Sequence, residues 1–228
     1  MGIKAPTKPS AKFGLLVHDV LERYYEGGPA PDKSTREGRV ADSALPHYPK
    51  PHPAMRVEDS FVFEFGGLQW RGRKDLDWDP EIVRTRHFSP DLVDHVIVDH
   101  KTSRDPSAWG LTEKTLPDDE GLVIYSMSLF EEIEELEVIG AQWTYLKTQG
   151  KSAGIPVRTT IRREEARRKM LPIIQTGQEM TDVLSRDLRD ANKLEPSPRA
   201  CGDFGGCDYA KMGVCVLSLD EKMNSIWK

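Results

Sequence analysis

The chain has 228 residues, of which 38% are hydrophobic and 30% charged, and its formal net charge is −5 at pH 7. This length suits one substantial domain or two small ones, and the apolar share excludes a wholly disordered chain. No apolar run approaches the ~18–20 residues of a membrane span, and residues 1–10 lack the apolar stretch of a signal peptide. We therefore expect a cytoplasmic protein with no membrane partner. Binding to nucleic acid would require a local basic patch or metal ions, because the bulk charge is acidic.

The first part of the chain has helix, loop and hairpin patterns. Apolar residues recur at helical spacing over 13–25, which predicts an amphipathic helix. Residues 27–56 carry many prolines among charged and small residues and predict one long loop. Alternating residues at 57–65, a Gly-Gly turn and residues 68–78 predict a β-hairpin.

The second part of the chain alternates strand and helix patterns. The short apolar run 96–98 predicts a central strand that leads directly into Asp99-His100-Lys101. The elements predicted after it are a helix at 118–136, a hairpin of 138–148 with 156–161, and a long helix at 163–194. We therefore expect an α/β domain over residues 1–194 and a small cysteine-containing segment over 195–228.

Two carboxylates and a lysine fall at predicted strand ends, as metal-dependent phosphodiester hydrolysis would require. Asp75 lies in the second hairpin strand, and Asp99 and Lys101 end the next strand. Carboxylates at adjacent strand ends can hold Mg²⁺ or Mn²⁺, which prefer oxygen ligands. Because side chains alternate along a strand, Lys101 shares a face with Asp99 and can help to orient and deprotonate the attacking water. The His100 side chain points away, but its backbone carbonyl can join the metal shell. An Asp-x-Lys triplet also occurs by chance at solvated strand ends, so it does not decide the function alone.

The order of these features resembles the RecB-like exonuclease branch of the PD-(D/E)XK nuclease superfamily. The segments RGRKDLD and VIVDHKTS are similar to its two metal-binding strands, and FGLLVHDVLE is similar to its leading helix. The resemblance implies a restriction-endonuclease-like α/β fold, in which a central mixed β-sheet is flanked by helices. It also implies that Asp75, Asp99 and His18 are metal ligands and that Lys101 is the catalytic lysine.

The sequence departs from the family pattern in two places. Tyr125 matches the tyrosine of the family's Gln-x-x-x-Tyr motif and is expected to support the site or touch DNA, whereas Gly121 takes the place of the glutamine. The interval between the two acidic residues is long for a simple hairpin, which leaves three rival carboxylates: Asp77, Asp79 and Asp94. Glu58 either helps the site indirectly or is an exposed strand-end residue, and we favour the second interpretation.

Three cysteines, Cys201, Cys207 and Cys215, lie close together with glycines between them. Soft thiolates at this spacing suit an iron-sulfur cluster or zinc. The segment resembles the C-terminal cysteine triad of iron-sulfur nucleases in the same family, including the CRISPR-associated exonucleases and the nuclease of the AddAB helicase. The resemblance implies a 4Fe-4S cluster whose fourth cysteine precedes the leading helix. This sequence has no cysteine there, so we expect a truncated start, with a non-cysteine ligand or a degenerate cluster as the alternatives.

Basic and aromatic residues outside these motifs are candidates for contact with nucleic acid. Arg162, Arg163 and Arg167 either track the phosphate backbone of DNA or form a solvated helix face that nearby glutamates offset. Three tryptophans either stack on unpaired bases or, as we favour, pack in the interior: Trp70, Trp109 and Trp143.

These observations predict a Mg²⁺- or Mn²⁺-dependent deoxyribonuclease. We expect an exonuclease that acts on single-stranded or double-stranded DNA ends in recombination, repair or phage DNA metabolism, a setting in which a helicase or recombination protein would be its partner. One alternative is a catalytically inactive nuclease-fold subunit that binds DNA or a partner protein. Another is a small zinc-stabilised interaction protein in which the acidic triplet is incidental.

Overall fold

A single mixed β-sheet organises this computed structural model, which describes the backbone of residues 8–185 and the side chains of residues 8–182. Residues 9–177 form one compact unit. Each strand of the sheet pairs with the next one along the chain, and its strands are β1 (Arg56–Phe65), β2 (Leu68–Trp78), β3 (His95–Ser103), β4 (Val138–Lys147) and β5 (Gly154–Arg162). All neighbouring pairs are antiparallel except β3 and β4, which are parallel. Both predicted hairpins and the central position of the third strand are therefore confirmed.

Helices precede, connect and follow the strands. They are α1 (Pro9–Tyr25), α2 (Arg36–Asp42), α3 (Pro106–Trp109), α4 (Glu120–Glu132) and α5 (Arg163–Ser185). Parallel neighbours need a crossover connection, and α4 lies in the crossover from β3 to β4. Among the helices of the described residues, none has the length and apolar character needed to cross a bilayer.

The sheet buries apolar residues on both of its faces. Val96 and Val98 pack with α1 residues such as Val17 and Leu21, while Ile97 packs with residues of α4 and α5. This division follows from the alternation of side chains along β3. The expected α/β architecture, a central mixed sheet flanked by helices, is confirmed.

The prediction of one continuous loop over residues 27–56 is wrong. The segment contains α2 and a short 3₁₀ turn at Leu45–His47. Thr35 begins α2 as its N-cap, because its hydroxyl accepts a hydrogen bond from the Gly38 amide at 3.0 Å. Val40 and Ala41 are buried against the α1 side of the sheet. A helix this short carries too few residues to display a helical repeat among so many prolines.

Two of the sequence predictions fall beyond the described residues. The boundary between a core ending at residue 194 and a segment beginning at residue 195 lies there, and so do Cys201, Cys207 and Cys215. Both stay predictions.

Candidate active site

The site begins where strands β2 and β3 separate. Their antiparallel ladder joins Leu76–Trp78 to Val96–Val98, and the next residues in register, Asp75 and Asp99, are not paired. At this point the Asp75 carboxylate accepts a hydrogen bond of 2.5 Å from the backbone amide of His100. A side-chain oxygen has thus taken the place of a strand carbonyl, and it holds Asp75 in the opening between the strands.

Helix α1 brings a histidine to this opening. Val17 and Leu21 anchor the helix in the core, and His18 places its Nδ1 atom 3.5 Å from an Asp75 oxygen. The His18 side chain is 29% exposed and that of Asp75 is 12% exposed, so solvent reaches both members of the pair. Burial lowers the pKa of His18, but the hydrogen bond and charge of Asp75 outweigh it and raise the pKa overall. The structure therefore brings together these two predicted ligands.

A second acidic residue, Glu58, joins this pair, although its sequence position favours an exposed strand end. Glu58 lies across the β1–β2 hairpin from Asp75, between the pairs Val57–Leu76 and Asp59–Lys74. Its side chain is only 9% exposed and forms an ion pair of 2.6 Å with Arg73. One ligand atom each from His18, Glu58 and Asp75 all lie within 4.8 Å of one another.

A backbone distortion explains why Glu58 reaches the site. Its φ of +49° is a left-handed value that non-glycine residues seldom adopt. On either side of it, Val57 packs on the α1 side of the sheet, whereas Phe61 and Phe63 pack on the α4 side. Residues at even spacing normally share a face, so the alternation of β1 shifts at Glu58. The irregular residue is the one whose carboxylate joins the cluster.

Asp99 and Lys101 form a close ion pair beside the opening. The Lys101 ammonium lies 2.8 Å from Asp99 Oδ2, with Asp99 5% and Lys101 46% exposed. Burial first, and then the negative charge of Asp75, raises the pKa of Asp99 to about 7. Its buried Oδ2 has no hydrogen-bond partner beyond this ion pair. The raised pKa shows that the Lys101 ion pair does not fully offset the burial of Asp99 and the neighbouring charge of Asp75.

His100 contributes its backbone and not its ring to this opening. The ring is buried, and its Nδ1 lies 2.8 Å from the Tyr48 hydroxyl. Burial lowers the pKa of His100 to about 4, so the imidazole is neutral near pH 7. The amide binds Asp75, and the proposed role of the carbonyl as a metal ligand stays a prediction.

Tyr125 lies on α4, next to the Asp99–Lys101 pair. Its ring packs against Phe61 and Trp143, with ring centroids 5.8 Å and 6.1 Å away. Burial and then the Asp99 charge raise the pKa of Tyr125 to about 12, so its hydroxyl stays protonated and can donate a hydrogen bond.

The three rival carboxylates have other partners. Asp77 is buried and binds Arg56 and His95. The Asp79 carboxylate accepts a hydrogen bond from the Glu81 amide, and the Asp94 carboxylate accepts hydrogen bonds from the amides of residues 137 and 138. None of these three carboxylates belongs to the His18 group.

The predicted arginine cluster lies at the other end of the sheet. Arg162 ends β5 opposite Val138, the first residue of β4, whereas Asp99 and Lys101 lie toward the far end of β3. The Arg163 guanidinium donates hydrogen bonds to four backbone carbonyls at the end of α4 and just after it, those of Phe130, Ile133, Glu134 and Leu136. Arg167 lies 3.4 Å from the Glu131 carboxylate. We therefore leave these arginines out of the proposed substrate contacts.

The donor set fits a divalent cation. Carboxylate oxygens and an imidazole nitrogen are suitable ligands for Mg²⁺ or Mn²⁺. Glu58, Asp75 and Asp99 bring negative charges close together, because the charge of Asp75 raises the pKa of the other two carboxyl groups. A bound cation would offset this repulsion, so His18, Glu58, Asp75 and Asp99 could hold one.

One family of known proteins matches this chain. No curated protein matches the chain. A solved structure from Eubacterium rectale, described as a candidate exonuclease, is 11% identical and aligns with a TM-score of 0.49 over 86% of this chain and 79% of its own. Residues 1–212 match the family model of the PD-(D/E)XK nuclease superfamily. This match spans most of the sequence, and the chain therefore belongs to the PD-(D/E)XK nuclease superfamily.

Proposed function

We propose that this chain is a metal-dependent DNA exonuclease that hydrolyses phosphodiester bonds at DNA ends. The observation that carries the proposal is the grouping of His18, Glu58 and Asp75 within 4.8 Å, with the Asp99–Lys101 pair beside it. A phosphodiester is anionic, so an acidic site needs a cation before it can bind one. Membership of the nuclease superfamily supports the same chemistry.

The metal would supply Lewis-acid stabilisation of the charge that develops on the phosphate. The protein's own contribution is positioning. His18 is fixed by α1, Asp75 by the His100 amide, and Glu58 by its ion pair with Arg73. These constraints hold the ligand atoms in place before a substrate binds, which lowers the cost of organising the site.

Lys101 is the residue that we propose to act on the attacking water. Burial lowers its pKa, but the charge of Asp99 outweighs this and raises the pKa overall, so the ammonium keeps its proton at neutral pH. Its side chain is 46% exposed and can reach solvent. We therefore assign Lys101 to orienting the water and offsetting phosphate charge, with Tyr125 as a neighbouring hydrogen-bond donor.

The proposal is tested by incubating the protein with end-labelled linear DNA, single-stranded and double-stranded, and with closed circular DNA. We expect labelled nucleotides to be released from linear DNA with Mg²⁺ or Mn²⁺ and not with a chelator. Lys101→Ala should abolish release, while Lys151→Ala, a change of an exposed lysine in the β4–β5 turn, should not. Cleavage of circular DNA at the same rate would contradict an exonuclease, and no cleavage of any DNA would favour a binding subunit.

We also propose that Cys201, Cys207 and Cys215 hold an iron-sulfur cluster of the kind found in the RecB-like branch. The support is the spacing of the thiols and the intervening glycines. Protein purified without oxygen should be brown, absorb near 400 nm and contain iron. A colourless protein with bound zinc would overturn this assignment.

A further inference from the structure

The tryptophans that the structure describes differ sharply in their surroundings. Trp78 and Trp143 are fully buried. The indole nitrogen of Trp70 donates a hydrogen bond of 3.0 Å to the Phe65 carbonyl, so Trp70 is part of the hairpin. Trp109 is 74% exposed at the end of α3. Single apolar side chains are common on protein surfaces, so the position of Trp109 relative to the site decides what it can do.

The backbone around Trp109 is attached to the strand that neighbours Lys101. Tyr145 of β4 is the register partner of Lys101. Its hydroxyl accepts a hydrogen bond of 2.9 Å from the Leu111 amide, and a Cβ atom on Gly110 would lie 3.5 Å from its ring. The two residues that follow Trp109 are therefore held beside the Asp99–Lys101 pair.

The segment that contains Trp109 is also anchored where α3 begins. Asp105 caps α3, because its carboxylate accepts a hydrogen bond of 3.1 Å from the Ser107 amide, and Pro106 is buried. The chain connects α3 to the end of β3 through Arg104, an exposed residue. Arg104, together with Arg36 and Thr102, lines an open cavity of about 410 Å³. Arg104 and Trp109 are thus two exposed side chains of the segment that follows β3.

We propose that Trp109 is a stacking platform for an unpaired nucleobase and that Arg104 contacts the phosphate backbone of the same strand. The inference rests on the proposed function of the adjacent site as a nuclease. Every base has an aromatic face, so stacking on an indole binds unpaired bases without regard to sequence. In a duplex the bases are already stacked on one another. The substrate class that this surface favours is therefore single-stranded DNA or a frayed DNA end.

Binding measured without cleavage tests the platform separately from catalysis. In a Lys101→Ala background with Mg²⁺, the fluorescence anisotropy of a labelled single-stranded oligonucleotide gives the dissociation constant. We expect Trp109→Ala to weaken binding by roughly 5- to 100-fold, the range that corresponds to loss of one stacked base. Trp109→Phe should retain most of the affinity, because a phenyl ring still stacks. Leu92→Ala, a change at another exposed apolar residue, is the matched control and should have no effect.

A second measurement tests whether the Trp109 ring is the group that contacts the bound strand. Binding of the single strand should quench the emission of Trp109, and the quenching should be lost in Trp109→Phe. Equal affinity of the parent and Trp109→Ala for single-stranded DNA would overturn the inference, even if the wild-type protein cleaves DNA. Weakened binding by Trp109→Ala would support it, even if the wild-type protein cleaves no DNA and the proposed nuclease activity fails.

Discussion

Asp75 and Asp77 lie two residues apart on β2, and the charged groups around them differ. Asp77 is fully buried, yet its Oδ1 atom lies 2.6 Å from the Arg56 guanidinium and 2.9 Å from His95, with the Lys74 ammonium 3.5 Å from its Oδ2. Burial raises the pKa of Asp77, but these partners outweigh it and lower the pKa overall. We call Arg56, Asp59, Lys74, Asp77, His95 and Glu132 the interior network.

Burial raises the pKa of Asp75 too, and His100 and His18 lower it overall, but the neighbours of Asp75 also include other acids. Glu58 and Asp99 lie near it, and its charge raises the pKa of both of these carboxyl groups. The comparison teaches that burial alone does not identify a functional carboxylate. The interior network lowers the pKa of Asp77, whereas Glu58 and Asp99 in the site have raised pKa values, which a bound cation would lower.

The sharpest test of this difference is activity. Asp75→Asn should reduce the release of nucleotides from DNA by roughly 10³- to 10⁴-fold, because it removes a charged metal ligand from the site. The initial rate on end-labelled DNA with Mn²⁺ measures the effect. Asp91→Asn, at an exposed position, is the control and should be active. A fully active Asp75→Asn enzyme would mean that the site lies elsewhere.

For stability, we expect substitution of Asp77 to have a larger effect than substitution of Asp75. Asp77→Ala removes the fully buried acid that Arg56, Lys74 and His95 share and should lower the free energy of unfolding by about 3–5 kcal/mol. Asp75→Ala should lower it by less, about 1–2 kcal/mol, because the loss of the contacts with the His100 amide and His18 is partly offset by relief of repulsion with Glu58 and Asp99. Urea unfolding in the presence of a chelator measures both values. Equal losses would contradict the division between network and site.

Metal binding should stabilise the protein through the site alone. At a Mn²⁺ concentration of about 100 times the dissociation constant, the free energy of unfolding should rise by about 2.7 kcal/mol. Glu58→Gln should weaken Mn²⁺ binding by roughly 10-fold or more, whereas Glu64→Gln, at an exposed position of the same strand, should not. Calorimetric titration with Mn²⁺ gives the dissociation constants directly. Unchanged affinity in Glu58→Gln would remove Glu58 from the ligand set.

The last expected effect concerns pH. The pKa of Asp99 is raised to about 7, whereas an unfolded aspartate titrates near ~4. The folded protein therefore binds the proton more tightly, and its stability falls as pH rises through this interval. Without metal, Asp99→Asn should gain roughly 2–3 kcal/mol of stability relative to wild type between pH 5 and pH 8. If this stability difference is the same at both pH values, the charge of Asp99 does not destabilise the folded protein.

Much of the fold was predictable because its signals are local. The Gly66-Gly67 turn between alternating segments predicted the first hairpin, and apolar repeats predicted α1 and α4. In the site, His18 and Asp75 were predicted from motifs, and the structure brings them together. These features depend on neighbours along the chain, which a sequence displays directly.

Features that depend on tertiary contacts could not be predicted. Val57, Phe61 and Phe63 stand at even spacing and look like one uninterrupted strand face, so nothing in the sequence marks the shift at Glu58. The Arg163 side chain looks like a phosphate contact until the carbonyls at the end of α4 are seen to surround it. A charged residue does not reveal its partners when they lie about thirty residues away.

The short ladder between β2 and β3 has a mechanical consequence. Sheet hydrogen bonds join these strands over Leu76–Trp78 alone, whereas β3 and β4 are paired along the whole of β3. Glu58 and Asp75 belong to the hairpin on one side of this seam, and Asp99 belongs to the sheet on the other. A slight bend at the seam would change the spacing of the carboxylates without altering any residue. Bonds from oxygen to Mg²⁺ and to Ca²⁺ differ by only about 0.3–0.5 Å. We therefore expect the stiffness of the sheet, as well as the chemistry of the ligands, to set the size of ion that the proposed site can hold.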